Sequence, residues 1–90
     1  MDTVENVCKE VVKVLADFNA KGADDSVKAR LEKLSSSAET LGMKSGKKLI
    51  DNFLTALKEG KTAESLTVRV TALEFYIKNV ISSQGAIEDI

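Results

Sequence analysis

The chain of 90 residues contains no histidine, proline or tryptophan, and it has a single cysteine. Without histidine, the sequence lacks the most common general base, phosphoryl carrier and metal ligand. A lone Cys8 excludes an intramolecular disulfide and a cysteine-based zinc site. The five glycines form no phosphate-binding loop pattern. These absences predict no catalytic residue, no metal site and no cofactor, and therefore a protein that is not an enzyme.

Charge of one sign does not dominate, because 13 basic residues are interspersed with 14 acidic residues for a net charge of −1. A surface that binds nucleic acid through phosphates needs a basic stripe, and none is visible. No apolar run approaches the roughly 18 residues that a membrane span requires. We therefore expect neither a nucleic-acid partner nor a membrane, and the single cysteine favours a cytoplasmic, reducing environment.

Apolar residues recur at intervals of three and four throughout the chain, which is the spacing of amphipathic helices. Alternation with a period of two is almost absent. The pattern predicts an all-α fold, with one domain over residues 1–90 arranged as an antiparallel up-down-up-down four-helix bundle. The predicted helices span about residues 3–20, 25–41, 44–59 and 63–82, and they are followed by a frayed tail at 83–90.

A family resemblance appears in the middle of the chain, in DDSVKARLEKLSSSAETLGMKSGKKLIDNFLTALKEG, residues 24–60. This stretch resembles the histidine phosphotransfer (HPt) domain, a small helical module of phosphorelays. The family pattern is His-x-Leu-Lys-Gly-Ser-Ala-x-x-Leu-Gly, followed by a helix with leucines at fixed offsets. The positions that match are Leu34, Ser37, Ala38, Leu41, Gly42, Leu49 and Leu57. The resemblance covers roughly residues 10–82, and it implies an HPt-like four-helix fold.

Three functional positions depart from the family pattern. The phosphorylatable histidine falls on Glu32, the lysine that steadies phosphoryl oxygens on Ser35, and the glycine that leaves room for a receiver domain on Ser36. A carboxylate cannot relay phosphate as an imidazole does. The resemblance therefore implies a degenerate member of the family that carries no phosphate.

The polar side of the second helix is the candidate partner-binding surface. Helical spacing places Leu31, Leu34 and Ala38 in the core, and it places a ridge of five residues beside them, where the family has its active site. We call these residues the α2 ridge and expect it to face water: Lys28, Glu32, Ser35, Ser36 and Glu39.

The resemblance implies a non-catalytic signalling module, either a monomer or a weak homodimer. Its expected partner is a response-regulator receiver domain or a histidine kinase domain. A generic helical adaptor or homo-oligomeric assembly protein, unrelated to phosphorelay, is the alternative that the residues leave open. They also leave open whether Glu32 mimics a phosphohistidine or is only a surface charge.

Overall fold

The computed structural model describes residues 3–22 and 24–88, which form four α-helices and no strand. The helices are α1 (Val4–Lys21), α2 (Asp25–Thr40), α3 (Lys44–Glu59) and α4 (Ala63–Glu88). The all-α, four-helix prediction is therefore confirmed. None of these helices is both long enough and apolar enough to cross a bilayer.

Polar side chains define the first turn of three helices. The Thr3 hydroxyl accepts a hydrogen bond from the Asn6 N–H at 3.1 Å, and Asp24 accepts one from the Val27 N–H at 2.8 Å. Thr62 does the same for Ser65 at 3.3 Å. Such caps satisfy backbone donors that have no partner inside the helix. They begin α1, α2 and α4 at these points and leave only short turns between the helices.

Short connections and cross-helix pairs make the bundle antiparallel. Only residues 41–43 separate α2 from α3, and Gly42 turns the chain there with φ of 76°, a conformation that glycine adopts at little cost. Along this pair of helices Glu32 lies beside Lys58, while Ser35 lies beside Asp51, so one helix ascends as the other descends.

Each helix packs against two neighbours, in the closed order α1, α2, α3, α4 and back to α1. Over the described residues, the backbones of the diagonal pairs α1/α3 and α2/α4 stay apart, although the Phe18 and Phe53 rings meet across the α1/α3 diagonal. The four helices therefore form a closed ring in cross-section. The seam between α2 and α3 lies on the opposite side of the bundle from the seam between α1 and α4.

The core is centred on Phe53 of α3, which is fully buried. Its ring meets the Phe18 ring of α1 edge to face, with 5.1 Å between the centroids, a favourable aromatic geometry. Aliphatic side chains from all four helices complete the core, among them Val11, Leu31, Ile50 and Leu73, and Cys8 lies buried with them. This shared core holds the two seams in fixed positions.

Gly46 of α3 permits close packing against α4. A Cβ atom at this position would lie 3.0 Å from the Tyr76 ring, a distance that real Cβ contacts seldom reach. The absence of a side chain therefore lets the ring of Tyr76 lie directly on the α3 backbone. This contact closes the α3/α4 seam at its α3 N-terminal end.

The last helix is longer than the sequence pattern predicts. We expected it to end near residue 82, with a frayed tail over 83–90, but α4 continues to Glu88. Residues 89–90 lie outside the described residues. Weak amphipathic pattern does not by itself stop a helix, because each added residue gains one backbone hydrogen bond and no proline interrupts the segment.

Candidate functional site

The α2 ridge does not lie wholly in water. Glu32, Ser36 and Glu39 are exposed and Lys28 is half-buried, but Ser35 is only 7% exposed. The expectation that Ser35 faces solvent is therefore wrong. The surface offered by the ridge is narrower than the sequence suggested, and it is centred on Glu32 and Ser36.

Helix geometry and a polar partner explain the burial of Ser35. Residues 31, 35 and 38 are spaced by four and three, so Ser35 shares a face with the core residues Leu31 and Ala38. Its hydroxyl donates a hydrogen bond to the Asp51 carboxylate of α3 at 2.5 Å. A buried hydroxyl is tolerated when it has such a partner. The serine therefore belongs to the α2/α3 seam rather than to its outer surface.

Lys47 completes a polar cluster with Ser35 and Asp51. Its ammonium donates to Asp51 at 2.7 Å and lies 3.4 Å from the Ser35 hydroxyl oxygen. The pKa of Asp51 is lowered most by the hydrogen bond from Lys47 and next by the hydrogen bond from Ser35. The same bond to Asp51 raises the pKa of Lys47. Each group thus keeps the other charged at neutral pH.

The charges of this cluster determine its chemistry. A carboxylate with a lowered pKa is a weak base, and an ammonium with a raised pKa does not give up its proton to become one. Neither group is suited to remove the proton of Ser35. In the part of the chain that the structure describes, no three potential metal ligands of the His, Cys, Asp and Glu types lie together. The cluster is suited to fastening α2 to α3 and to presenting a cation near position 35.

Glu32, which the resemblance aligns with the family's histidine, is held by an ion pair across the seam. Its carboxylate lies 2.8 Å from the Lys58 ammonium of α3, and both side chains are about half exposed. An exposed pair of this kind adds little stability. It does orient the carboxylate towards the α3 side of the ridge. Ser36, one turn further along α2, remains exposed and small.

A second surface, which the sequence reasoning missed, lies between α1 and α4. A groove of about 620 Å³ runs along this seam, with an apolar lining formed chiefly by Val12, Leu15, Ala16, Phe75, Ile77 and Ile81. Phe75 is 67% exposed, and Val12 and Ile81 are each about half exposed. These three residues lie outside the inward stripes of their helices. Large apolar residues at such outward positions were the feature of the sequence that could have indicated this groove.

No family model matches the chain, and no curated protein or solved structure matches it either. The resemblance to HPt domains therefore rests on the residues quoted above.

Proposed function

We propose that the protein is a non-catalytic HPt-like signalling module, which binds a receiver or kinase domain of a phosphorelay through α2 and α3 without carrying phosphate. The observation that carries the proposal is the position of Glu32. It stands exposed beside α3 at the place of the family's histidine, with Lys58 holding its carboxylate.

The surroundings of Glu32 support a docking role. Ser36 is exposed and has a small side chain, so a partner surface can approach the helix closely one turn away. Lys47 brings an ammonium from α3 to 3.4 Å from Ser35, the position that the family's lysine occupies. The proposed interface thus keeps a fixed anion and a nearby cation where the family has its reactive site.

Binding is tested by titrating the protein, labelled with ¹⁵N, with receiver domains from the same cell and following its amide shifts. We expect the shifts to concentrate around Glu32, Ser36 and the facing side of α3. Shifts confined to α1 and α4, or no shifts at any receiver concentration, would contradict the proposal.

A second experiment tests kinship with the phosphotransfer family directly. The double variant Glu32→His, Ser36→Gly restores the imidazole and the open space, while Lys47 is left to serve as the cation. We expect it to take label from a receiver domain phosphorylated on aspartate: the phosphoryl group leaves the aspartyl oxygen and bonds to an imidazole nitrogen. The matched control Glu32→Gln, Ser36→Gly has no such nitrogen and should remain unlabelled. Equal labelling of both variants, or of neither, would contradict the kinship.

A further inference from the structure

The groove between α1 and α4 exposes apolar side chains that the described part of the chain does not cover. Phe75 is 67% exposed, and it stands over a lining that includes Val12 and Ala16. Scattered apolar residues are ordinary on a surface, but several along one groove indicate an interaction site. We propose that a second copy of this chain covers the groove, in a two-fold dimer with its α4 antiparallel to the first.

The charge pattern of α4 identifies the second copy as the occupant. The outward stripe of α4 along the groove is formed by Thr71, Glu74, Phe75, Lys78 and Ile81. In an antiparallel pair with its two-fold axis at residue 76, position 74 faces position 78 of the second copy. Glu74 therefore meets Lys78 of the other chain, and the same pair forms again across the axis. An isologous contact requires this kind of self-complementarity.

The same register also matches the apolar residues. Each Phe75 lies one residue from the axis, so the two Phe75 backbones are offset by only about 3 Å along α4. Their rings come within reach of each other and cover the middle of both grooves. Thr71 and Ile81 face each other at the ends of the contact. A parallel arrangement in register would instead place like charges together, which opposes association.

Glu74 and Lys78 are available for this role. Both are exposed, and none of the ion pairs among the described residues involves either of them. The groove also lies across the bundle from α2 and α3. Dimerisation would therefore leave the α2 ridge free. The dimer proposal does not depend on the proposed docking function.

Charge reversal tests the register by sedimentation equilibrium over micromolar to millimolar protein. We expect the mass of the wild type to rise with concentration from the monomer value of 9.7 kDa towards that of a dimer. Glu74→Lys and Lys78→Glu should each weaken dimerisation by about tenfold, because both cross-axis pairs become repulsive. An equimolar mixture of these two variants should regain association, since every pair in the heterodimer is again opposite in charge. The double variant Glu74→Lys, Lys78→Glu should regain it as well.

Matched apolar variants test the surface. Phe75→Ser should abolish most of the association, whereas Val68→Ser should leave it unchanged, because Val68 is equally exposed at 67% but lies beside α3. Circular dichroism checks that both variants keep their helices. A wild type that stays monomeric at millimolar concentration overturns the proposal. So does a dimer that Phe75→Ser and Val68→Ser weaken equally, or one that the charge reversals do not affect.

Discussion

The two opposite seams of the bundle are built from different chemistry. Between α2 and α3, polar side chains reach across and find partners, as in the Ser35–Asp51–Lys47 cluster and the Glu32–Lys58 pair. Between α1 and α4, apolar side chains surround an open groove. The first seam is closed by side chains from both helices, while the second exposes apolar surface that the described residues do not cover.

Identical substitutions in the core and at the open groove should differ most in their effect on stability. Phe53→Ala removes the centre of the core and the edge-to-face contact with Phe18, and we expect it to lower the free energy of unfolding by about 3–5 kcal/mol. Phe75→Ala removes a ring that already lies in water, so the loss should stay below about 0.5 kcal/mol for the monomer. Urea unfolding at low protein concentration measures both. Equal losses would show that the groove is closed in solution.

The sequence pattern predicted the helices better than it predicted the site, and the reason is visible in particular residues. A spacing of three and four places Leu31 and Ala38 in the core whatever the partner helix is, and the structure agrees. The burial of Ser35 depends on Asp51, sixteen positions along the chain, and periodicity within α2 carries no information about that contact. The groove depends on Phe75 of α4 lying beside Val12 of α1, and the pattern within either helix carries no information about that contact.

Removing one partner of the polar cluster should have a smaller effect than the loss of Phe53. Asp51→Ala leaves the buried Ser35 hydroxyl without its acceptor and Lys47 without its counter-ion. We expect a loss of about 1–2 kcal/mol, reduced from the value for a fully buried site because Asp51 is partly exposed. Glu74→Ala, on the open seam, is the matched control and should change stability by less than about 0.5 kcal/mol. Thermal unfolding measures the loss of stability in both variants. A larger loss for Glu74→Ala than for Asp51→Ala would contradict the view that the α2/α3 seam is the closed one.

Acid should weaken the closed seam by protonating Asp51. The pKa of Asp51 is lowered in the folded state, chiefly by Lys47, so its stabilising effect is complete above the unfolded-state pKa of about 3.9. That effect is lost as the pH falls through the folded-state pKa. Urea midpoints of the wild type and of Asp51→Asn should therefore differ at pH 7, and the difference should shrink as the pH falls below the unfolded-state value and through the folded-state pKa. The same shift in Asp17 is present in both proteins and cancels. A difference that stayed constant with pH would place the stabilisation outside this carboxylate.

Alkali should act on the other member of the cluster. The pKa of Lys47 is raised by its bond to Asp51, so its contribution is present below the unfolded-state pKa of about 10.4 and is lost as the pH rises through the folded-state value. Lys47→Met, which keeps much of the apolar stem, should remove this loss at high pH while lowering stability at pH 7. Urea unfolding of the wild type and of Lys47→Met between pH 8 and pH 11 measures the loss of stability with rising pH. A variant that still lost as much stability as the wild type over this range would exclude Lys47 as the titrating group.

Substitution of Glu32 should change the stability of the fold very little but weaken the binding of a receiver domain. Glu32→Ala breaks only an exposed ion pair with Lys58, so the free energy of unfolding should shift by less than about 0.5 kcal/mol. If α2 and α3 form the docking surface, the same substitution should weaken receiver binding several-fold, since it removes the anion at the centre of the contact. Glu10→Ala is the matched control, because Glu10 is also an exposed carboxylate paired with a lysine, but on α1. Isothermal titration with one receiver domain compares the two variants. Equal binding losses would mean that overall charge guides the encounter, and the closed seam would then be a structural fastening with no part in recognition.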